Sequence, residues 1–564
     1  MKVFFMMSFK HILFFSLFLQ EKLRTFMLTK EEKNEYREYL FRHLDGIAIA
    51  PIAYSLKEKG VLDFILSKKQ FLLSEISSQF DANEGYLNIG LRMLASQGWL
   101  DYEVNNKENT VTISTNEKST IAFSHFNLYQ DVAYLLKTSE EFHPRSLDKE
   151  QFSILNRIFI NYRNEKYDPS SKDSLTLEIQ QQIARHIEGV LVGPITVFLG
   201  MDGMFHKYFM EASFSAEEFH EDPESFSKIL DFLHYLGWFT KSNNHFKFTK
   251  KGFFFARRAS AYGVTVSYIP TFRRVEELMF GNANILRSSI PNSTEIHVDR
   301  EMNVWGSGGA HSAYFKKIDE IIITLFNKPI DEQPKGILDM GCGNGAFLIH
   351  LFEVIEQRTK RGTMLEEHPL FLVGVDFNKA ALKVTRSNLV KADIWAKVIW
   401  GDISDPKKLQ EDILGNYNIK LSELLNVRTF LDHNRPWSQP IEIDSKRVSK
   451  STGAYACCGR RLNNSAVEQN LKEHFEKWAP YIKKFGLLLI ELHTINPKIT
   501  ASNLGLTAAT AYDATHGFSD QFIVELEVFQ KVIKELGIKT ENKHFSKFPN
   551  NDLATVSINY LKST

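Results

Sequence analysis

The feature that most constrains this chain is a glycine-rich turn between a short apolar run and an apolar helical pattern. Ile337, Leu338 and Met340 are typical of a buried strand, and the helical pattern begins at Ala346. The glycines of the turn are Gly341, Gly343 and Gly345. This order predicts bare backbone at the carboxyl edge of a parallel sheet, where a nucleotide-like ligand can approach closely.

Three acidic residues indicate which ligand suits this turn. Asp339 stands two residues before Gly341, where its carboxylate can meet an ammonium group but would repel a pyrophosphate. Asp376 ends the second apolar run and can accept hydrogen bonds from two ribose hydroxyls. Asp402, followed by Ile403, ends the third run and can accept from an adenine amino group. The sequence therefore predicts a site for an adenosine that carries an amino acid.

This arrangement resembles the class I S-adenosylmethionine-dependent methyltransferases. The resemblance implies an enzyme with S-adenosylmethionine as cofactor and an α/β fold, with a doubly wound, Rossmann-like, seven-stranded domain at the C-terminus. It implies that the cofactor-binding residues are Asp339, Gly341, Gly343, Gly345, Asp376, Asp402 and Ile403. The chain departs from the pattern between Gly341 and Asp376, because this gap exceeds the ~20 residues usual for such a unit. We expect residues 357–368 to form a helix extension and loop that absorb the excess.

Length and charge limit the class of protein. At about 150 residues per domain, 564 residues predict three or four domains. Lys+Arg and Asp+Glu both number 68, so no overall field favours nucleic acid or a membrane, and we expect neither as a partner. The three cysteines, of which two are adjacent, fit a reducing, cytoplasmic location.

The N-terminal residues 1–26 form an apolar extension that superficially resembles a signal peptide. Its apolar run, residues 12–19, is shorter than the ~18 to 20 residues that span a bilayer, and no small-x-small cleavage site follows. We interpret the segment as a non-native extension upstream of a start at Met27.

Two segments, residues 27–115 and 191–260, repeat one pattern: a periodic helix that ends in Gly-Trp and runs into a polar hairpin. The repeated positions are Leu91, Leu94, Gly98 and Trp99, then Leu230, Leu233, Gly237 and Trp238. We interpret both as helical, winged-helix-like modules. Residues 116–190 and 261–330 are then helical connectors, the second with a glycine-rich turn at 303–311, and residues 331–564 are the methyltransferase domain.

Winged-helix modules often bind DNA, but the small number of Lys and Arg residues in the candidate reading helices argues against DNA binding here. Each candidate reading helix contains one cation, Arg92 in the first and Lys228 in the second, whereas phosphate contacts need several. We expect the modules to pack, to form a homodimer or to cover a substrate cleft. A winged-helix, ligand-sensing regulator is the alternative from another class.

Four nitrogen or oxygen donors are predicted at the mouth of the sheet. His433 follows a fourth strand at 422–431, and His493 ends a fifth at 486–493. His516 and Gln521 precede a helix at 522–536. One histidine would suffice as a general base, whereas the four donors together suit a divalent metal such as iron or manganese.

Several motifs are similar to the carbon methyltransferase of polyketide assembly lines of the apratoxin type. These motifs are Leu425–Pro436, Ala454–Arg460, Glu473–Tyr481 and Gly486–His493. The resemblance covers roughly residue 46 to the end and implies a mononuclear metal and methylation of a malonyl-type unit on an acyl carrier protein. It implies catalytic roles for His433 and His493, and metal-binding roles for His433, His493, His516 and Gln521.

Two questions stay open at this point. A small-molecule O-methyltransferase would need only one histidine as a base and no carrier. The segment from Arg435 to Leu462 is locally basic and is either a solvated lid or a dock for phosphopantetheine or an acidic carrier protein. Its cations are Arg435, Lys446, Arg447, Lys450, Arg460 and Arg461.

Overall fold

The computed structural model describes residues 28–138, 149–164, 167, 169–209, 212–287, 295–441 and 447–563. The apolar extension, residues 1–26, lies outside these ranges, so our interpretation of it stays a prediction.

The first module has the element order of a winged helix. Its long first helix begins at a capping box, in which Thr29 Oγ1 accepts from the Glu32 amide (3.1 Å) and the Thr29 amide donates to the Glu32 carboxylate (2.7 Å). Strand β3 pairs antiparallel with both β1 and β2. The elements are α1 (Lys30–Glu58), α2 (Val61–Ser67), β1 (Gln70–Leu72), α3 (Leu73–Gln79), α4 (Glu84–Ser96), β2 (Asp101–Asn105) and β3 (Thr110–Ser114).

A helical connector leads to the second module, which repeats the first. The connector helices are α5 (Ser119–His125), α6 (Gln130–Thr138) and α7 (Lys149–Arg163). The second module comprises α8 (Ser174–Met201), α9 (Met204–Lys207), β4 (Phe214–Ser215), α10 (Pro223–Tyr235), β5 (Phe239–Ser242) and β6 (His245–Phe248). Strand β6 lies between β4 and β5, as β3 lies between its neighbours. Helix α8 begins before the predicted boundary at residue 191, because this long helix is the counterpart of α1.

Helices α1 and α8 cross at two glycines. A Cβ on Gly46 would lie 2.3 Å from His186 Cα, and one on Gly189 would lie 2.4 Å from His43 Cα. Only glycine permits so close an approach of the two backbones. Both glycines stand in the same local sequence, Arg-His-x-Asp/Glu-Gly, at 42–46 and 185–189.

The contacts across this crossing are reciprocal. His43 of the first module is hydrogen-bonded through Nδ1 to the hydroxyl of Tyr262, which follows the second module (2.8 Å). His186 of the second module is bonded in the same way to Tyr129, which follows the first (2.7 Å). Such reciprocity is typical of a two-fold interface between identical subunits. Here both halves belong to one chain.

Helix α8 is, within the described residues, the one helix long and apolar enough to cross a membrane. Of its most apolar 18-residue stretch, 89% is buried inside the protein, as expected for a core helix.

The second connector ends in a long helix. Its helices are α11 (Lys250–Ala256), α12 (Ser260–Ser267), α13 (Ile269–Phe272), α14 (Val275–Phe280) and α15 (Arg300–Phe326). The prediction of a glycine-rich turn at 303–311 is wrong, because these residues are helical throughout. A Cβ on Gly263 would lie 2.5 Å from Gly306 Cα, so these glycines allow α12 and α15 to pack closely.

The C-terminal domain confirms the predicted doubly wound sheet. The strand order is β14-β16-β13-β10-β7-β8-β9; β7, β8, β9, β10 and β13 are parallel, and β16 is antiparallel to β13. A short eighth strand, β15, pairs with β16. The strands are β7 (Gly336–Met340), β8 (Phe371–Asp376), β9 (Ala396–Trp400), β10 (Leu425–Thr429), β13 (Leu487–Leu492), β14 (Ile538–Thr540), β15 (Ser546–Phe548) and β16 (Val556–Ser563).

Helices cover the sheet, and a small hairpin contacts the first module. The helices are α16 (Ala346–Arg358), α17 (Lys379–Lys391), α18 (Pro406–Tyr417), α19 (Asn464–Trp478), α20 (Pro497–Ala501), α21 (Ala509–Gly517) and α22 (Leu526–Glu535). The hairpin strands are β11 (Ala456–Cys457) and β12 (Arg460–Arg461). Between α16 and β8 a 3₁₀ turn at Lys360–Met364 accounts for part of the long gap noted in the sequence.

Candidate functional site

The glycine turn joins β7 to α16 with its backbone open. Gly341, Gly343 and Gly345 have φ values of +78°, +55° and +80°, a region that favours glycine. A Cβ on Gly343 would meet no atom within 4 Å, so the middle of the turn faces free space. A ligand can therefore touch the backbone there.

Asp339 is buried beside this turn with an unsatisfied oxygen. The residue is 2% exposed, and its Oδ2 has no hydrogen-bond partner among the described residues. Burial, and then the charge of Asp376, raises the pKa of Asp339 to about 8. A buried acceptor without a donor is costly, and an ammonium group would satisfy it. The residues present thus fit the amino-acid part of S-adenosylmethionine.

Asp376 ends β8 and supports the turn directly. Its carboxylate accepts from the amides of Gly343 (3.0 Å) and Asn378 (2.8 Å), which leaves lone pairs for ribose hydroxyls. At the end of β9, Asp402 Oδ1 accepts from Ser404, and the Ile403 carbonyl accepts from Trp478 Nε1 (2.8 Å). All seven predicted cofactor residues thus lie at the carboxyl ends of β7, β8 and β9.

His433 follows β10 and is oriented by Glu491 of β13. Glu491 Oε1 lies 2.5 Å from His433 Nδ1, and its Oε2 accepts from the His433 amide (3.3 Å). Both residues are buried. Nδ1 therefore donates to the carboxylate, and Nε2 is left with a free lone pair for a proton or a metal ion.

A buried polar cluster fixes the turn that presents His433. Asp432 Oδ1 accepts from Arg428 (2.6 Å) and is bonded to His474 Nε2 (2.8 Å). Burial raises the pKa of Asp432, but the charges of Arg428 and His474 outweigh it and lower the value to about 2. The guanidinium of Arg428 lies 3.8 Å from the ring of Trp478. The carboxylate is thus ionised and held from two sides, which keeps His433 in one position.

His516 and Gln521 line a small cavity beneath the first module. His516 Nδ1 is bonded to the carbonyl of Tyr512 (2.7 Å), which leaves Nε2 free among the described residues, and its ring centroid lies 5.0 Å from that of His433. Burial, and then His433, lowers the pKa of His516 to about 3, so this imidazole is neutral. The first module contributes to the lining Ile89, Arg92 and Met93.

His493 has other partners. Its Nδ1 is bonded to the carbonyl of Val524 (3.2 Å) and its Nε2 to the hydroxyl of Ser557 (2.7 Å). Burial lowers its pKa to about 4. The structure thus brings His433, His516 and Gln521 together, whereas both ring nitrogens of His493 are occupied elsewhere.

One other cluster offers metal-ligand atoms. Within the described ranges, a group of three such side chains with ligand atoms within 4.8 Å occurs at Cys457, Cys458 and Asp520. The Asp520 carboxylate already accepts from Tyr86 (2.9 Å) and the Cys458 amide (3.0 Å), and it pairs with Arg287. A cation would have to displace the arginine.

Sequence reasoning missed the roles of Arg92 and Glu491. Glu491 shares a strand face with His493, but nothing local connects it to His433, 58 positions away. Arg92 was singled out only as a cation for DNA, yet it is 1% exposed and contacts Asp513, the carbonyls of Thr452 and Ile495, and Thr494 Oγ1. Helix α4 therefore faces the catalytic domain and not solvent.

Three family profiles match successive parts of the chain. They are the AprA N-terminal domain at residues 36–102, the AprA winged helix domain at 188–282 and the AprA MT2-like domain at 295–559. A curated relative, the protein-lysine N-methyltransferase efm4 of Schizosaccharomyces pombe, is 30% identical over 104 residues. That match covers 18% of this chain and 40% of the relative.

Solved structures with a similar arrangement include methyltransferases of two kinds. An O-methyltransferase family protein from Burkholderia thailandensis has a TM-score of 0.38 and 11% identity, over 66% of this chain and 95% of that one. The CurJ carbon methyltransferase has a TM-score of 0.31 and 11% identity, over 73% and 97%.

With its glycine turn, strand order and matched catalytic domain, the chain is a class I S-adenosylmethionine-dependent methyltransferase. Within this class it resembles AprA in its N-terminal, winged-helix and methyltransferase segments alike.

Proposed function

We propose that the protein methylates the acidic carbon of a malonyl-type acyl thioester carried on an acyl carrier protein, with His433 as the general base. The observation that carries the proposal is the 2.5 Å contact between Glu491 and His433 Nδ1, which leaves Nε2 as the proton acceptor. The resemblance of the sequence to carbon methyltransferases of the apratoxin type supports the choice of substrate, and residues 295–559 match the AprA MT2-like domain.

The chemistry needs a base and a fixed geometry. S-adenosylmethionine, when bound against Asp339 and the glycine turn, supplies an electrophilic methyl group. His433 takes the proton from the carbon between two carbonyls, and Glu491 stabilises the resulting imidazolium. The cavity roof contributed by the first module limits access of water to the acceptor.

A second candidate, metal-assisted carbon methylation, is favoured by the way both histidines are held. Each donates Nδ1–H to an oxygen, a carboxylate for His433 and a carbonyl for His516, as metal-binding histidines commonly do. His433, His516 and Gln521 would hold a divalent iron or manganese ion, which would stabilise enolate charge. In this case His433 is a ligand and cannot also be the base.

Metal analysis and mass spectrometry of methylated products test the proposal. Wild-type protein is incubated with a malonyl carrier protein or a free phenol, with and without chelator. We expect methylation of the malonyl carrier alone and loss of about 100- to 10,000-fold in kcat for His433→Ala, since a general base contributes this much. Activity that survives chelation supports His433 as the base, and activity lost with the metal supports the second candidate.

Glu491→Gln and His493→Ala sharpen the test. Glu491→Gln should reduce kcat strongly because the amide no longer stabilises an imidazolium. His493→Ala should leave any bound metal in place because His493 is hydrogen-bonded to Val524 and Ser557. Methylation of the phenol alone would indicate an O-methyltransferase and refute the proposal.

A further inference from the structure

The basic segment from Arg435 to Leu462 is largely engaged within the protein. Arg435 is 3% exposed and donates to Asn470 and the Asp432 carbonyl. Arg447 pairs with Glu468 and Glu535, and Arg461 pairs with Glu84 and donates to Asn109. These three arginines tie elements together and are not available as a charged dock. Lys450 and Arg460 are exposed, and Lys446 lies outside the described residues.

Another surface combines exposed cations with exposed apolar side chains. We define the basic-apolar face as the exposed side chains of α17 and of the segment that leads into β9. Its cations are Lys379, Lys383, Arg386 and Lys391, and its large apolar side chains are Val384, Val390 and Trp395. Asp393 is the single acid between residues 377 and 400.

This face is basic, although the chain as a whole has equal numbers of acids and bases, and its apolar side chains are exposed. Trp395 is 89% exposed, Val390 78% and Val384 48%. None of the four cations forms an ion pair with a described residue, although Arg386 donates to the carbonyl of Val398 (2.8 Å). Apolar anchors among charges are typical of a surface that binds another protein.

The position of the face suits a partner that delivers a substrate. Helix α17 begins at Lys379, three residues after the cofactor residue Asp376, and β9 is an outer strand of the described sheet. Neighbouring strands lie about 4.8 Å apart, so the end of β8 is roughly 10 Å from the end of β10, which His433 follows. A flexible arm anchored beside Lys379 can therefore reach the site. Val390 lies about 17 Å further along α17, so an arm from a domain seated there must also span the helix.

Charge decides between the candidate occupants. A second copy of this face would oppose four cations with four cations in a two-fold contact, which is repulsive. Nucleic acid would satisfy the lysines but offers little apolar surface for the valines. An anionic membrane would satisfy both and is one outcome of the test below. An acidic protein surface with apolar residues at its centre satisfies both parts.

We propose that the basic-apolar face docks the acidic carrier domain that holds the acyl thioester. This assignment rests on the proposed function for the identity of the partner. Cations at the edge of the face attract and orient the domain, and Trp395 and Val390 provide the apolar contact.

Two substrates separate docking from chemistry. The triple variant Lys379→Glu, Lys383→Glu, Lys391→Glu is assayed with a malonyl carrier protein and with malonyl-pantetheine, which has no carrier domain. We expect kcat/KM for the carrier substrate to fall by about tenfold or more, through KM, because electrostatic attraction is lost. The value for malonyl-pantetheine should stay within about twofold of wild type. Trp395→Ser should weaken carrier binding without changing its dependence on salt.

The matched control reverses three exposed lysines elsewhere, Lys69→Glu, Lys247→Glu and Lys539→Glu, and should leave both substrates unaffected. Direct titration of the malonyl carrier protein against each variant decides the docking question even if wild type methylates neither substrate, which would refute the proposed function alone. Equal affinity of the carrier for wild type and the triple variant overturns the docking proposal. Binding of an oligonucleotide or of anionic lipid vesicles that the triple variant abolishes, without carrier binding, overturns it as well.

Discussion

The two modules share one element order, but their equivalent helices, α4 and α10, pack against different parts of the protein. In the first module, α4 packs against the catalytic domain, and Arg92 reaches the cavity that also contains His516. In the second, α10 packs against the connector helix α7, where the rings of Phe159 and Phe232 stack at 4.1 Å. The Gly-Trp pattern specifies the module, but the residues on the outer face of this helix decide what the module does.

The helices α4 and α10 can be compared position by position when Gly98-Trp99 is aligned with Gly237-Trp238. Arg92 then corresponds to Asp231, and Met93 corresponds to Phe232. Arg92 is buried with Asp513, whereas Asp231 pairs at the surface with Lys241 (2.6 Å). The first module thereby lines the cavity that contains His516, whereas the second packs against the connector helix α7.

The largest effect should come from Arg92→Met. Removal of the guanidinium leaves Asp513 buried without its partner, and we expect a loss of about 3–5 kcal/mol in the free energy of unfolding together with loss of activity. Asp231→Asn, at the equivalent position, breaks a partly exposed pair and should cost less than about 1 kcal/mol. Chemical denaturation of both variants measures the difference. Similar losses would show that the two helices are not used differently.

The crossing of α1 and α8 gives the next largest effect. A methyl group on Gly46 or Gly189 would lie 2.3 Å from backbone atoms of the opposite helix, so Gly46→Ala or Gly189→Ala should cost about 1–3 kcal/mol or more. Gly415→Ala, in α18 with open space around it, should be neutral or stabilising.

Because the pairing is internal, we expect wild type to be monomeric by light scattering and the variants to self-associate. A wild-type dimer through these modules would contradict the pairing described here.

Two acids at equivalent positions should respond oppositely to pH. Burial raises the pKa of Asp45 to about 7, so it disfavours the folded state increasingly as pH rises from about 4 through 7. Burial also raises the pKa of Glu188, but the nearby His43 Nε2 (3.3 Å) and the charge of Arg185 (2.5 Å) outweigh this and lower it. Glu188 therefore contributes stability above its unfolded pKa, which is lost in acid.

The corresponding variants turn this into a measurement. Asp45→Asn should raise the thermal midpoint at pH 8 more than at pH 5, and Glu188→Gln should lower it at pH 7 with an effect that fades toward pH 3. Parallel pH profiles for the two variants would contradict the assignment.

The smallest effect concerns substrate affinity. Met93→Leu changes the shape of the cavity lining and should shift KM for the methyl acceptor by no more than about tenfold. Phe232→Leu should reduce stability by around 1 kcal/mol with KM unchanged, because α10 contacts α7 and not the cavity. Steady-state kinetics with both variants compare them. An unchanged KM for Met93→Leu beside a changed one for Phe232→Leu would reverse our assignment.

Local patterns predicted the strands and the glycine turn, and they placed the acids of the predicted cofactor site at the strand ends. Strand, glycine turn and acid follow each other within a few residues around Asp339, so their sequence predicts their geometry. The glycines at 306–309 were misleading, because a glycine that allows two helices to approach looks the same in sequence as one that forms a turn.

Contacts between distant residues could not be predicted. His493 meets Ser557 on the antiparallel strand β16, 64 positions later, and this partner determines which way its ring nitrogens are used. Likewise, one arginine on a helix does not reveal whether the helix faces solvent or another domain. The burial of Arg92 follows only from where α4 packs.

The covalent link between the two modules has an evolutionary consequence. In a two-fold dimer every substitution enters the interface twice, once from each subunit, so both halves must accept it. Here a substitution enters once, so α4 and α10 can differ: α4 lines the cavity, and α10 packs against α7. The link also makes the pairing of α1 and α8 independent of protein concentration, so dilution does not separate the two halves.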